Sequence, residues 1–155
     1  MCDLKATRSA APPSDRKPTE YLTKHKLENL CDLDVAMLVL NGFLLREVQT
    51  MLSSSKLYTS LSLIEQIVGN KTQGMIRRQQ ANVRLNAHQS ALAFQFAKAL
   101  EFATEVFGIQ ALAEDWLCQP SRYFSGKAPL QLIANSIGFA VVERYLAQIH
   151  HGIYA

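Results

Sequence analysis

The chain is predicted to be all-α, with a helix–turn–helix region joined by one long helix to a small C-terminal helical domain. Three observations carry this reading. Apolar residues recur at three-to-four spacing across 92–107 with no proline or glycine to interrupt them. The stretch 107–152 divides into three short helical patterns separated by glycine and proline corners. The segment 60–80 reads as a helix, a turn glycine and a second helix carrying Arg77 and Arg78.

The elements follow in order. Residues 1–20 hold Ala10, Ala11, Pro12, Pro13, Ser14 and Pro18 among scattered charges, which predicts a disordered arm. A weak helical pattern covers 22–31. The apolar run DVAMLVL at 34–40 has the length of a strand, but among helices it reads better as a buried connection or short helix ended by Asn41 and Gly42. Residues 42–52 are expected to be helical with Phe43, Leu44, Val48, Met51 and Leu52 inside. Ser60 or Ser62 caps the next helix, whose apolar positions are Leu61, Ile64, Ile67 and Val68, and Gly69 permits the turn. The second helix starts near Thr72. Gly74 within it costs roughly 1 kcal/mol relative to alanine, so it depends on packing through Met75 and Ile76.

Asn86 with Gln89 three residues later is a capping box, and it opens the long helix. Leu92, Phe96, Ala99 or Leu100, Ala103, and Val106 or Phe107 line its main stripe. Phe94 and Phe102 lie off that stripe, either under neighbouring helices or at a homodimer seam, the first being the more common arrangement. Because Gly108 is the first breaker, this helix serves both halves of the chain. Beyond it, 109–118 carries Ala111, Leu112, Trp116 and Leu117 near a helical period, and Pro120 ends it. Residues 121–128 form a loop containing Gly126. Pro129 suits the first turn of a second short helix reaching Ala134, since its missing N–H is not needed there. Ser136 can cap a third helix with Val142, Leu146 and Ile149 on one stripe, Val141 and Tyr145 on its flank, and Gly152 at its C-terminal end. These boundaries give an arm at 1–20, a helix–turn–helix domain at 21–100 and a C-terminal domain at 101–155.

With 155 residues, 48% of them hydrophobic, the chain can build one full core or two small ones sharing a surface. No run approaches the roughly 18–20 apolar residues of a membrane span, and the first residues are charged where a signal peptide would be apolar; a cytoplasmic protein with no membrane association is expected. Cys2, Cys31 and Cys118 are odd in number, far apart and free of CxxC spacing, so free thiols are expected in place of a disulfide framework or zinc site.

The net charge is +3, and its location matters more than its size. No acidic residue occurs between Gln66 and Leu100, whereas Lys71, Arg77, Arg78, Arg84 and Lys98 all do, which leaves the rest of the chain slightly acidic. A basic block of this kind is the footprint of a face that neutralises phosphates. In a helix–turn–helix the second helix enters the major groove, so Thr72, Gln73 and Arg77 are the candidate base readers, with Lys71, Arg78 and Arg84 holding backbone. The competing view is a solvated helix face.

Catalysis is not expected. HExxH, GxSxG, GxGxxG and Walker patterns are absent, and no carboxylate cluster accompanies a cysteine or histidine. His150 and His151 point about 100° apart on a helix and cannot share a metal as an i, i+4 pair can. No metal or cofactor is anticipated.

The order and spacing of Phe107, Gly108, Ala113, Trp116, Leu117, Pro120, Gly126, Pro129, Leu130, Gly138, Val142, Leu146 and Gly152 resemble the toxin-binding domain of the Xre/MbcA/ParS antitoxin family, specifically the antitoxins of RES–Xre pairs. The resemblance extends more weakly back to about Asn41. Glu65 and Asn70 depart from it, since the family commonly has alanine four positions before the turn glycine and a branched apolar residue after it. The resemblance implies an Xre/Cro-like helix–turn–helix, a RES-domain NAD-degrading toxin as partner, neutralisation by covering the toxin's active site with the C-terminal domain and tail, and repression of the operon. It also implies a homodimer within a larger complex bound to operator DNA. Because Trp116, Pro120, Leu130 and Leu146 sit at apolar or corner positions, the toxin contacts are expected from Arg122, Tyr123, Phe124, Ser125 and Lys127 in the loop. The other contacts are expected from His150, His151, Ile153, Tyr154 and Ala155 at the end, where Tyr154 and a terminal carboxylate suit a dinucleotide pocket. The alternative is a stand-alone Xre-type repressor whose C-terminal domain dimerises or senses a ligand.

Overall fold

In the computed structural model, which describes residues 16–56, 63–69 and 82–152, every regular element is helical. α1 (Pro18–Thr23) starts with Pro18 in the first turn, where a missing N–H is harmless. It therefore begins inside the segment expected to be a disordered arm. Thr19 explains why: fully buried, it donates its hydroxyl to Glu101 Oε2 at 2.6 Å. After a 3-10 turn (Leu27–Asn29) comes α2 (Asp32–Asn41), which settles the ambiguous apolar run as a helix. It is not buried, however, and none of its residues belongs to the core.

Gly42 ends α2 with φ +82°. Residues 42–44, expected to be helical, are not, and Leu44, with an extended backbone, bridges Arg84 in antiparallel fashion. Leu45 N–H donates to the Val83 carbonyl and Leu85 N–H to the Phe43 carbonyl, both at 2.8 Å. A side chain at Gly42 would collide with the Leu85 carbonyl, so the crossing requires glycine twice over, for its backbone angle and for space. Ser90, also fully buried, accepts the Phe43 N–H at 3.0 Å.

α3 (Leu45–Ser53) buries Leu45, Val48, Met51 and Leu52, and α4 (Leu63–Val68) buries Leu63, Ile67 and Val68. The expected cap at Ser60 or Ser62 and the second helix of the motif lie outside the described residues. The long helix is α5 (Ala87–Phe107), opened by the anticipated capping box: Asn86 Oδ1 accepts the Gln89 N–H at 2.8 Å and Gln89 Oε1 accepts the Asn86 N–H at 3.1 Å. The same Gln89 donates from Nε2 to the Val68 carbonyl at 2.9 Å, tying the end of α4 to the start of α5.

α5 runs through the boundary proposed at residue 100 and buries Ala93, Phe96, Ala97, Leu100 and Ala103. The alanines allow close approach by helices on several sides: α1, α2 and α4, together with α6 (Gln110–Cys118) and α8 (Ser136–His150). The result is one contiguous core from Leu22 to Leu146. Truncating its largest fully buried side chain, Phe96, would cost about 3–5 kcal/mol. Polar contacts reinforce the join, since Ser55, almost fully buried, donates to Glu114 Oε1 on α6 at 2.6 Å. Phe94 and Phe102 are half-buried against this core, the first of the two arrangements considered.

Between α6 and α8 stand a 3-10 turn (Arg122–Phe124) and α7 (Pro129–Leu132), shorter than expected. α8 is capped by Asn135, not Ser136, through its Oδ1 and the Gly138 N–H at 2.7 Å. The α7–α8 corner is tight enough that a Cβ at Gly138 would overlap the Leu132 carbonyl.

Candidate functional site

The loop after α6 is a constrained turn. Ser121 and Lys127 form an antiparallel bridge, with Ser121 N–H to the Lys127 carbonyl at 3.1 Å and Gly126 N–H to the Ser121 carbonyl at 2.9 Å. Ser121 Oγ accepts the Tyr123 N–H at 3.2 Å, and left-handed Ser125 and Gly126 complete the reversal. The turn leaves consecutive aromatics unequally buried: Phe124 sits in the core at 5% exposure, while Tyr123 is 51% exposed with its ring edge-on to Phe124 at 5.1 Å. Phe124 is thus a supporting residue of the domain, and its expected place among the partner contacts is corrected accordingly. Arg122, Tyr123, Ser125 and Lys127 are exposed, and among the described residues neither cation is ion-paired.

Tyr123 is braced by a cluster of rings. Its centroid lies 4.2 Å from that of Tyr145 on α8, which stacks on Trp116 of α6 at 6.1 Å and 8° and meets Phe124 edge-on at 5.2 Å. Trp116 in turn contacts Phe107 at 5.5 Å. Each such pair contributes about 0.5–1.5 kcal/mol beyond burial, so the cluster holds the exposed tyrosine in place. From Tyr145 the outer face of α8 continues through Val141 and Ile137 at four-residue steps, 37% and 78% exposed. Ile109, at the N-cap of α6, and Leu112, one turn before Trp116, are also exposed. Apolar surface therefore flanks the ring cluster on two helices, with exposed Arg122, Lys127 and Arg144 nearby. Burial of such a rigid aromatic centre with a charged rim is the anatomy of a protein-docking surface.

Ile137, Val141, Tyr145, Ile109 and Leu112 were not among the expected contacts. Their spacing was visible, but an apolar stripe at helical period reads as core until the neighbours on that side are known.

Of the contacts expected at the end of the chain, His150 and His151 are described. His150 lies about 140° around α8 from Tyr145, and its ring sits 6.4 Å from Phe102 of α5. Loop and His150 thus occupy opposite flanks of α8. His151 is exposed with its ring 5.3 Å from that of His150, while Ile153, Tyr154 and Ala155 lie outside the described residues.

Of the basic block, Lys71, Thr72, Gln73, Arg77 and Arg78 lie outside the described residues. Arg84 donates from Nη1 to the Gly42 carbonyl at 2.8 Å, which gives it a role in the chain crossing. Lys98 does not belong to a basic face: it pairs with Glu143 at 3.0 Å and covers the Phe139 ring, holding α5 to α8. Among the described residues no three His, Cys, Asp or Glu side chains are grouped to hold a metal ion, and no helix is long and apolar enough to cross a membrane. Cys118 is a free thiol that partial burial, with Asp115 and Glu114 nearby, pushes above the ordinary thiol pKa.

Comparison with known proteins bears on this same region. Residues 102–152 match the family described as the antitoxin Xre/MbcA/ParS C-terminal toxin-binding domain, and this span contains the turn, α6 to α8 and the whole ring cluster. The chain is also similar to a protein named antitoxin Xre from Pseudomonas putida KT2440, at 35% identity over 68 residues. That similarity spans 44% of this chain and 43% of the relative, less than half the length of either.

Proposed function

We propose that this chain is the antitoxin of a type II toxin–antitoxin pair, that it docks on a RES-domain NAD-degrading toxin, and that it represses its own operon as a homodimer. The observation that carries the reading is the coincidence of the toxin-binding domain match with an exposed, braced aromatic surface on its outer face. Tyr123 and Tyr145 are the anchors, Val141 and Ile137 extend the contact, and Arg122, Lys127 and Arg144 form its rim. Covering of the toxin's active site is assigned to residues 153–155. Operator binding is assigned to Lys71, Thr72, Gln73, Arg77 and Arg78, with the phosphate contacts giving a salt-dependent affinity.

The test is coexpression with the neighbouring gene, co-purification, and measurement of NAD consumption. The native chain should co-purify with a RES-domain protein and suppress NAD loss. Tyr123→Ala combined with Val141→Asp should weaken suppression at least about tenfold, as expected for loss of a central anchor. Full suppression by the double variant would reject the ring-cluster surface. Absence of any RES partner, with a gel shift on its own promoter that Arg77→Ala and Arg78→Ala abolish, would instead identify a stand-alone repressor.

A further inference from the structure

Within the proposed docking surface one charge is set apart from the others. Glu143 is the one acidic residue between Gln119 and Gly152, and it is engaged elsewhere, by Lys98 at 3.0 Å. The cations of that stretch, Arg122, Lys127 and Arg144, are exposed and have no ion-pair partner among the described residues. Arg122 and Lys127 belong to the turn, where a charged head can stay in water when the surface is covered. Arg144 stands on the apolar side of α8 itself.

It follows Val141 by three residues and Ile137 by seven, so it shares their side of the helix, about 60° and 20° around from them. Its Cα–Cβ bond tilts toward the helix N-terminus and therefore toward Val141. The positions three and four residues away on either side are Ala140, Val141, Ala147 and Gln148, none of which carries a charge. On the helices packed beside α8, Glu114 is engaged by Ser55 and Gln110, and Glu101 by Thr19. Glu105 and Asp115 form no ion pair with Arg144.

A partner that covers Ile137, Val141 and Tyr145 must cover Arg144 with them. Arginine does not shed its proton, and a guanidinium taken out of water without a counter-charge costs more than burial of a few apolar side chains returns. The stripe is therefore buried favourably only by a surface that brings an anion to Arg144. A nucleic-acid phosphate would satisfy the guanidinium but not the apolar residues beside it, which favours a protein.

We propose that Arg144 is a specificity-determining residue of the docking surface, and that the toxin meets it with an aspartate or glutamate set in an apolar patch. The planar guanidinium takes a carboxylate through two parallel N–H···O bonds, so the pairing fixes the orientation of the partner as well as its charge. A protein with a neutral or basic group at that point leaves the guanidinium buried and unpaired, and is rejected.

This inference rests on the ring-cluster surface of the proposed function, and its test separates the two. Full-length variants would be titrated by calorimetry against the protein that co-purifies from coexpression with the neighbouring gene. Arg144→Gln and Arg144→Glu should weaken binding at least about thirtyfold, the second more than the first. Arg144→Lys should lose less than Arg144→Gln, because it keeps the charge without the fork. Arg122→Gln and Lys127→Gln should each weaken binding no more than about fivefold. Thermal melting should be unchanged in all of them, since none of these side chains holds another part of the chain. Single Asp→Arg and Glu→Arg replacements on the partner's surface should restore binding to Arg144→Glu at one position, a result that damage to the fold cannot produce. Full binding by Arg144→Glu, alongside weakened binding by Tyr123→Ala with Val141→Asp, overturns the role of Arg144 alone. So does a loss of binding that no reversed charge on the partner restores. If neither set weakens binding, the docking surface is overturned and this inference with it. If Arg144→Glu leaves that binding intact but lowers self-association or operator affinity, the occupant is a second copy or DNA, and the proposal is likewise overturned.

Discussion

Gly138→Ala should destabilise the protein, and the sign of the effect is the informative part. By helix propensity alone, alanine in the first turn of α8 would be favoured by up to about 1 kcal/mol. The structure opposes this, because the new methyl would overlap the carbonyl of Leu132, a backbone atom that cannot rotate away. Relief requires α7 and α8 to separate at a corner that also holds the Asn135 cap, whose 2.7 Å bond to the Gly138 N–H would lengthen or break. Overpacking of this kind costs about 1–3 kcal/mol, and a lost cap adds about 1 kcal/mol. Set against the propensity gain, the net loss is about 1–3 kcal/mol, or roughly 2–12 °C in Tm for a domain of this size. Thermal melting followed by circular dichroism reads it directly. Ala140→Gly on the exposed side of the same helix serves as the propensity control, expected to cost no more than about 1 kcal/mol. An unchanged or raised Tm for Gly138→Ala would refute the close approach of α7 and α8. The same variant should also weaken the proposed toxin binding, because α8 carries Tyr145 and the corner sets its position against the turn.

Three further outcomes follow from individual contacts. Thr19→Val keeps the shape of a fully buried side chain but removes the 2.6 Å bond to Glu101, and should cost about 1.5–3 kcal/mol in denaturant unfolding; an unchanged midpoint would show that α1 is not held through Glu101. Asn86→Ala removes the cap of α5 and should lower stability by about 1 kcal/mol, whereas Asn86→Ser or Asn86→Asp should retain most of it. Cys118 should alkylate slowly at pH 8 and reach its plateau rate only above the ordinary thiol pKa, because the raised pKa keeps it protonated longer as pH rises; a plateau already reached below that value would contradict the effect of its burial and of Asp115 and Glu114.

Much of the helical framework is legible in short stretches of sequence, because caps and breakers act on their immediate neighbours. The Asn86–Gln89 box, the stop at Gly108 and the proline at the start of α7 all occur where the residues themselves demand them. Where local signals compete, the reading slips by a residue or a turn. Asn135 and Ser136 are both good caps, and the choice of Asn135 follows from its reach to the Gly138 N–H. Residues 42–44 have helix-compatible side chains, yet they are drawn into pairing with 83–85, a partner about forty positions away. The start of α1 was hidden for the same reason, since Thr19 is ordered by Glu101 on the far side of the chain.

The candidate site divides along the same line. The type of domain in the last third of the chain and the turn at 121–128 are determined by residues close together, and sequence alone identified them, whereas Tyr123 and Phe124 looked alike until packing buried one and exposed the other. Which apolar stripes face inward is a different matter, because a stripe at helical period is equally suited to a core or to a partner. Only the packing of α8 against α5 leaves Ile137 and Val141 outside, turns His150 toward Phe102, and commits Lys98 to Glu143. On α2 it leaves Leu33, Met37 and Leu40 in the open, in a run that composition alone would have buried. Sequence determined most of the helices, the Asn86 cap and the family resemblance through contacts only a turn long. The tertiary structure decided the surfaces, because exposure depends on what the rest of the chain brings alongside.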